Sequence, residues 1–328
     1  MKGILVYAEV ESERIHPVAF ELLGKAREIS EKIGGEVWGI ILGHEIRDLA
    51  PELIQYGADK VFVYDHPTLR EFDVIRYKEI LVDFVKKFDP EIFLIGATPL
   101  GRSLAPRVAA ALGTGLTADC IDLRIDENGD LIQIRPAFTG NILAHIKTKG
   151  KPVMATVRYR VMEMPEKDLS RDGEIIEMEI PEIGETGLKV LGKVEERGVN
   201  LAEADIIVAG GRGLKSKEDL KMLKELASLL GGVVGVSRPL VDEGWISKDH
   251  QIGFSGNTVK PKLYIACGIS GSPQHLAGMR DSETIIAINT DPSAPIFRYA
   301  DYGVVGDLYE VLPKLINGLK NAKRSENR

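Results

Sequence analysis

The sequence predicts an α/β protein with two doubly wound, mostly parallel sheets, the first of which carries added antiparallel strands. The chain has 328 residues, a length that favours two domains. Short apolar runs alternate with amphipathic stretches in both halves, the pattern of parallel strands joined by helices. A β-rich region and a polar, acidic stretch separate these halves, so we assign the domains to residues 1–190 and 191–328.

The first domain begins with four strand–helix units. Residues 3–9 are a short apolar run that ends at an acidic residue, typical of a buried parallel strand. Residues 16–35 have apolar side chains near a 3.6-residue period, a proline in the first turn and glycines after the end, which predicts a helix. The following strands and helices are predicted alternately at 36–43, 45–57, 60–65, 73–90, 91–98 and 103–113. Such units, joined by short connections, predict a parallel sheet with helices on both faces.

The pattern changes after residue 116. Four β-rich runs occupy residues 117–125, 131–137, 141–148 and 152–161. Asn128 and Gly129 separate the first two runs, which is a strong hairpin signal. We expect this region to add antiparallel strands to the sheet edge or to form a small arm. Residues 162–187 are polar, acidic and poor in periodicity, so we interpret them as a connector of limited order.

The second domain resumes the strand–helix alternation. Its apolar strands are predicted at 204–209, 232–236, 263–268, 284–288 and 300–305. These strands end at glycines, hydroxyl and amide side chains, and two of them end next to Arg212 or Arg238. Ligands of doubly wound sheets bind at the carboxyl ends of the strands, and glycines let backbone amides approach phosphate. The sequence therefore predicts a nucleotide cofactor at this edge.

Composition excludes several classes of protein. The formal net charge is −7, so no global basic field attracts nucleic acid. The short apolar run near the N-terminus predicts neither a signal peptide nor membrane insertion, and we expect a cytoplasmic protein. Cys120 and Cys267 have no nearby Cys or His at ligand spacing, which excludes a CxxC pair and an iron–sulfur motif.

Motifs of catalysis are also missing from the strand ends. Gly268, Ser270 and Ser272 form GxSxS, which differs from the GxSxG nucleophile elbow of hydrolases. Residues 210–216 match neither GxGxxG nor a P-loop. No catalytic residue and no metal ligand is assigned, and the pattern favours a protein that holds a cofactor.

Five strings at these strand ends resemble the FAD-binding domain of the electron transfer flavoprotein alpha subunit. In consecutive order they are GGRGLKS (210–216), GVSRPLVDEGW (235–245), ISGSPQHLAGM (269–279), INTDPSAPIF (288–297) and ADYGVVGDL (300–308). Residues 96–120 and 134–146 resemble the N-terminal part of that subunit. The resemblance covers most of the chain. It implies a Rossmann-like second domain that binds FAD, and a first domain that forms the interface with a beta subunit and holds no cofactor.

Carried over by motif position, the resemblance implies a set of FAD-binding residues in the second domain. They are Arg212, Ser237, Arg238, Ile252, Gly253, Phe254, Ser255, Ser270, Gly271, Ser272, Pro273, Gln274, His275, Asn289, Asp307 and Leu308.

The resemblance also implies roles for some of these residues. Arg238 would lie by the isoalloxazine ring, where a fixed cation raises the flavin potential. The hydroxyl of Ser255 would reach the flavin N5. His275 would lie on the O2 side and stabilise negative charge as an imidazolium. Asn289 and Asp307 would lie on the adenosine side.

The implied function is that of an electron carrier rather than a substrate-converting enzyme. The chain would form a heterodimer with a beta subunit, which binds AMP or a second FAD. Electrons would pass from acyl-CoA or other dehydrogenases, as in fatty acid β-oxidation, to a quinone oxidoreductase or another acceptor.

Three alternatives stay open. The first is the alpha subunit of an NADH-dependent electron-bifurcating complex. The second is a flavin- or NAD-dependent enzyme with its own substrate site. The third is a nucleotide-binding regulatory protein with no redox role.

Overall fold

Each half of the chain is built on its own parallel sheet. The computed structural model describes residues 3–11, 13–137, 142–191 and 200–326. The chain divides into two compact units, Met1–Lys193 and Val194–Arg328. Residues 138–141, which contribute to the resemblance and to the predicted start of a strand at 141, lie outside the described residues, as do residues 192–199 beside the predicted boundary.

The N-terminal unit alternates strands and helices up to residue 112 and is mostly β-structure after it. Its elements in chain order are β1 (Gly3–Ala8), β2 (Val10–Glu11), β3 (Arg14–Ile15), α1 (Val18–Ile33), β4 (Glu36–Gly43), α2 (Ala50–Gln55), β5 (Lys60–Asp65), α3 (Val74–Phe88), β6 (Ile92–Gly96), α4 (Pro99–Leu112), β7 (Leu116–Cys120), β8 (Asp122–Ile125), β9 (Leu131–Ala137), β10 (Ile142–Lys147), β11 (Val153–Val157) and β12 (Glu174–Glu177). Short 3-10 turns at Arg47–Leu49 and Pro67–Leu69 complete it.

Local signals set the bounds of several elements. β4 and β5 have the bounds predicted from their apolar runs. α3 begins after Asp73, whose carboxylate accepts the Ile75 N–H at 2.9 Å and caps the first turn. α4 begins four residues before its predicted start, because Thr98 caps it and Pro99 occupies its first turn.

A seven-stranded parallel sheet forms the centre of this unit, in the order β12-β5-β4-β1-β6-β11-β7. The antiparallel strands expected after residue 116 form a separate sheet, β10-β9-β8, which is the small arm. β7 and β11 instead join the large sheet in parallel. β11 is apolar apart from Thr156 and almost wholly buried, which suits a strand between two parallel neighbours.

The acidic residues 162–187 are more ordered than expected. β12 lies within them and pairs in parallel with β5, so that it forms one edge of the large sheet. Apolar side chains of the segment pack against the core: Ile176, Met178, Ile180 and Ile183. The first three alternate with other residues at a period of two, which is a strand signal that the acidic composition obscured.

The C-terminal unit has five strands. Its elements in chain order are β13 (Ile206–Gly210), α5 (Leu220–Leu230), β14 (Val233–Val236), α6 (Arg238–Asp242), β15 (Leu263–Cys267), α7 (Pro273–Leu276), β16 (Thr284–Asn289), β17 (Tyr302–Val305) and α8 (Leu308–Glu326). All strand pairs are parallel, in the order β14-β13-β15-β16-β17. Apolar clusters cover the sheet, one of them built largely with α5 and α8. The two parallel sheets confirm the predicted α/β class.

None of the described helices combines the length and the apolar character needed to cross a membrane.

Candidate cofactor site

A cavity of about 600 Å³ lies at the carboxyl edge of the C-terminal sheet. The strand order reverses between β13 and β15, where the connections leave in opposite directions and a crevice opens. The ends of all five strands and the loops after them supply the lining: Arg212, Gly213, Lys215, Ser237, Pro239, Gly268, Ile269, Ser270, Gly271, Ser272, His275, Ile288, Asn289, Thr290, Gly306, Asp307 and Leu308.

Glycines let the loops after β13 and β15 meet backbone to backbone. A Cβ atom on Gly211 would lie 2.4 Å from the carbonyl oxygen of Gly268, and one on Gly213 would lie 2.7 Å from the Gly268 Cα. Gly271 has a φ of +83°, and a Cβ there would lie 2.5 Å from the Ile296 nitrogen. Side chains at these positions would push the loops apart, so the glycines determine the shape of this wall of the cavity.

Two side chains near the ends of β16 and β17 are held in place by backbone groups. The Asn289 Nδ2 donates to the Ile269 carbonyl oxygen at 2.9 Å, while its Oδ1 accepts the Asp291 N–H at 3.0 Å. The Asp307 Oδ1 accepts the Tyr309 N–H at 2.9 Å. An amide and a carboxylate fixed in this way suit the hydroxyls of a ribose.

Two cations face the cavity against one carboxylate. Arg212 and Lys215 both follow β13, and Asp307 is the acidic residue of the lining. In the part of the chain that the structure describes, neither cation forms an ion pair with a carboxylate, and the Lys215 ammonium lies 4.4 Å from the centre of the Tyr309 ring. The balance of charge therefore favours an anionic ligand.

His275 is buried on the cavity wall, and protein groups engage both of its ring nitrogens. Nδ1 lies 3.1 Å from the Ile252 carbonyl oxygen, and Nε2 lies 3.0 Å from the Tyr264 hydroxyl. Nδ1 must donate to that carbonyl, so the Tyr264 hydroxyl donates to Nε2. Burial lowers the pKa of His275 to about 4, against the effect of the hydrogen bond to Ile252. Burial and these two contacts therefore favour the neutral imidazole at pH 7, and the imidazolium expected beside a bound flavin stays a prediction.

The cavity brings together only part of the predicted site. Its lining includes Arg212, Ser237, Ser270, Gly271, Ser272, His275, Asn289, Asp307 and Leu308. The remaining predicted residues lie outside the lining: Arg238, Ile252, Gly253, Phe254, Ser255, Pro273 and Gln274.

Backbone contacts join the loop of residues 252–255 to α7. The Phe254 N–H donates to the Gln274 carbonyl oxygen at 2.7 Å, and a Cβ on Gly253 would lie 2.9 Å from the same atom. The Phe254 ring is 62% exposed. The Ser255 hydroxyl accepts from the Gln251 amide at 3.0 Å. Phe254 and Ser255 are thus exposed next to the cavity, whereas Ile252 and Gly253 are buried.

Arg238 begins α6, directly after the lining residue Ser237. Its side chain is exposed, and its Nε lies 3.1 Å from the Asp242 Oδ2 one helical turn later. The guanidinium therefore points to solvent and is partly compensated by a carboxylate.

Sequence reasoning missed several lining residues: Gly213, Lys215, Pro239, Gly268, Ile269, Ile288, Thr290 and Gly306. Lys215 and Thr290 stand within the strings that carry the resemblance, at strand ends. The rule that ligands gather at the carboxyl ends of the strands could have identified both.

Comparison with known proteins decides the family. A family model described as the electron transfer flavoprotein domain matches residues 4–183, and one described as the electron transfer flavoprotein FAD-binding domain matches residues 200–280. The electron transfer flavoprotein subunit alpha of Thermoanaerobacterium thermosaccharolyticum is 50% identical, over 98% of this chain and 99% of that protein. The chain belongs to the electron transfer flavoprotein alpha subunit family. The family predicted from the strand-end strings is thereby confirmed.

Other members of the family carry different names. A protein named lactate dehydrogenase (NAD(+),ferredoxin) subunit LctC, from Acetobacterium woodii, is 50% identical over 99% of this chain and 79% of its own length. Protein FixB of Azotobacter vinelandii is 48% identical over 96% of this chain and 91% of its own length. Membership in the family implies a flavin cofactor, a beta-subunit partner and partners in electron transfer.

Proposed function

We propose that this chain binds FAD in the cavity of its C-terminal unit and carries electrons as a heterodimer with a beta subunit. One observation carries the proposal. Arg212 and Lys215, without carboxylate partners among the described residues, face a crevice at the strand reversal that glycines shape. Cations and close backbone are what the diphosphate of a dinucleotide requires.

The residues present fit an extended dinucleotide. Asn289 and Asp307 supply an amide and a carboxylate for the adenosine side. The flavin end would lie towards Arg238 and the loop of residues 252–255, outside the enclosed lining. Arg238, Phe254 and Ser255 are exposed there, so a partner protein can approach the ring closely enough for electron transfer.

FAD supplies the redox chemistry when it is bound, and this chain binds and orients it. Arg238 provides a positive charge, which the neighbouring Asp242 moderates. His275 is neutral and holds the Ile252 carbonyl, which positions the loop of residues 252–255. No side chain is assigned to bond-making on a substrate.

The proposal includes specific partners and a location. The N-terminal unit, residues 1–190 in the sequence-based division, would form the beta-subunit interface, and the beta subunit would bind AMP or a second FAD. Acyl-CoA or other dehydrogenases would donate electrons, in a pathway such as fatty acid β-oxidation. A quinone oxidoreductase or another acceptor would receive them. The cytoplasm is the expected location, in keeping with the free, buried thiols of Cys120 and Cys267.

A second candidate is an electron-bifurcating complex driven by NADH. Its support is the 50% identity to the Acetobacterium woodii protein named as a subunit of an NAD(+),ferredoxin lactate dehydrogenase. In such a complex the flavin of the beta subunit would take hydride from NADH, and the FAD of this chain would relay electrons.

Purification with the beta subunit tests the proposal. A yellow complex with one FAD and one AMP supports the simple carrier, and two FAD per heterodimer support bifurcation. A colourless complex that binds ATP and never FAD would overturn both. Turnover of a small substrate by this chain alone would favour a substrate-converting enzyme instead.

A further inference from the structure

Lys215 belongs to a set of contacts that joins three elements of the C-terminal unit. The Lys215 N–H donates to the Tyr309 hydroxyl at 2.7 Å and lies 3.2 Å from the Asp219 Oδ2. The Tyr309 hydroxyl donates to the same carboxylate oxygen at 2.6 Å. These contacts join the loop after β13, a 3-10 turn at Lys217–Asp219 before α5, and the first turn of α8.

The same tyrosine also contacts the side chain of Lys215. The ammonium Nζ lies 4.4 Å from the ring centre, within the range of a cation–π interaction. Tyr309 does not line the cavity, whereas Lys215 does. The ring therefore contacts the lysine without being part of the cavity lining.

Burial and the neighbouring Asp219 carboxylate raise the pKa of Tyr309, so its hydroxyl keeps its proton and donates at neutral pH. The hydrogen bond from Tyr309 and those from the backbone lower the pKa of Asp219. The carboxylate is thus used to fix the loop, and it forms no ion pair with the Lys215 ammonium.

We propose that Lys215 is the second cation, beside Arg212, that binds the diphosphate of the dinucleotide, and that Tyr309 is the residue that positions it. This inference rests on the proposed FAD site. It assigns a ligand contact to a residue outside the set that the resemblance implies, and it assigns a positioning role to a residue outside the cavity.

The test uses the full-length chain purified with its beta subunit and freed of flavin. Lys215→Gln is expected to weaken FAD binding about tenfold. It should also flatten the dependence of the dissociation constant on salt, because one fewer charge meets the ligand. Lys217→Gln is the matched control, since Lys217 is also exposed but lies outside the cavity lining. Lys215→Arg keeps the charge and should restore most of the affinity.

Competition separates the diphosphate contact from a structural effect. Lys215→Gln should weaken the binding of ADP and leave that of adenosine unchanged. Tyr309→Phe keeps the ring and removes the hydroxyl, and it should cost about three- to fivefold in FAD affinity. That cost should shrink when Lys215 is already glutamine, because the hydroxyl acts through the lysine.

The outcomes distinguish this inference from the proposed function. If the wild-type complex binds no FAD, both fail. If it binds FAD and Lys215→Gln matches Lys217→Gln in affinity and salt dependence, the role of Lys215 fails while the FAD site stands. If Tyr309→Phe costs the same with and without Lys215, Tyr309 does not act through the lysine.

Discussion

The two units present carboxyl edges of opposite character. In the N-terminal unit, side chains at the strand ends tie the loops to one another. The Asp65 carboxylate, which ends β5, accepts the Glu45 and Ile46 N–H groups at 2.7 and 2.9 Å. The Asp119 carboxylate contacts the Arg158 guanidinium at 2.7 Å. These polar atoms are engaged within the protein.

The corresponding edge of the C-terminal unit holds a cavity lined by glycines, hydroxyls and cations. Arg212 and Lys215 have no carboxylate partner among the described residues. Each unit has its own doubly wound parallel sheet, so the type of sheet alone does not determine which edge binds a ligand. The residues at the strand ends determine it. They either bind one another or remain unpaired and can bind a charged ligand.

Each edge also buries a titratable side chain near a strand end, Glu9 in the N-terminal unit and His275 in the C-terminal unit. Glu9 directly follows β1, accepts a hydrogen bond from the Thr98 hydroxyl, and has its pKa raised to about 7, chiefly by burial. His275 has its pKa lowered to about 4 by the same cause. Burial thus favours the neutral form of both groups, although it moves their pKa values in opposite directions.

The largest effect is expected at a glycine of the carboxyl edge of the C-terminal sheet, where the cavity lies. Gly271→Ala places a Cβ 2.5 Å from the Ile296 nitrogen, on a backbone whose φ is +83°. We expect a loss of about 2–4 kcal/mol in the free energy of unfolding and a weakening of FAD binding by about 100-fold. Urea unfolding, followed by Trp245 fluorescence in a Trp38→Phe background, and flavin titration measure the two.

The control for this substitution is Gly318→Ala. Gly318 is an exposed glycine within α8, and nothing lies within 4 Å of an added Cβ. The change should stabilise the helix by up to about 1 kcal/mol. If Gly271→Ala behaved like the control, the shape of the cavity would not depend on Gly271, and the contrast between the two edges would not rest on this glycine.

The next effect is a pH dependence of the free energy of unfolding, which comes from Glu9 at the carboxyl edge of the N-terminal sheet. Burial raises the pKa of Glu9 from 4.5 to about 7 in the folded chain, so its contribution to stability is complete below pH 4.5 and is lost as the pH rises to 7. The loss should amount to about 3 kcal/mol. Glu9→Gln should remove it, as measured by urea unfolding from pH 5 to 8 with Trp38 fluorescence in a Trp245→Phe background.

Glu31→Gln, which removes an exposed carboxyl from α1, should leave the wild-type pH profile unchanged. Parallel profiles for wild type and Glu9→Gln would contradict the assignment. His275 supplies the opposite sign: its contribution should be lost as the pH falls from 6.5 to about 4.

A smaller effect is expected on the adenosine side of the proposed site. Asp307→Ala should weaken FAD binding about tenfold, with little change in the flavin potential. Part of the cost could come from the lost cap on the Tyr309 N–H, so Asp307→Ser is the matched variant, because a serine hydroxyl can accept that bond. Serine should recover helix stability and not the affinity. An unchanged FAD dissociation constant in the alanine variant would exclude the contact.

The smallest effect is expected at the exposed cation. Arg238→Ala should lower the midpoint potential of bound FAD by about 30 mV, since an exposed charge is strongly screened. Asp242→Asn should shift the potential the other way by releasing Arg238 from its ion pair. Spectroelectrochemistry at constant ionic strength measures both variants. Equal potentials for both variants and wild type would mean that Arg238 lies away from the flavin.

Much of this architecture follows from local sequence. The apolar runs of β4 and β5 predicted their bounds, because a strand buried on both faces must be apolar throughout. The strings at the strand ends predicted the family. They also predicted nine of the residues that line the cavity. Glycine-rich turns can be predicted from sequence, because no other residue lets two backbone segments approach each other so closely.

Other features needed the tertiary structure. Whether β7 and β11 would join the large sheet or the arm depended on which neighbours bury them, and periodicity does not encode the neighbour. The acidic composition of residues 162–187 predicted a connector. Their apolar residues alternate as in a strand, but that strand forms only because it can pair with the edge strand β5.

Charge states and partners were likewise decided by folding. The sequence identified His275 and Arg238, but burial beside Tyr264 makes the first neutral, and Asp242 one turn away compensates the second. The position of Lys215 at a strand end is evident from sequence, whereas its contacts with Tyr309, 94 residues later in the chain, are made only by the fold. Sequence alone determined which residue types stand at the strand ends, and the tertiary structure decided which of them keep their charge free, because burial and pairing depend on groups distant in the chain.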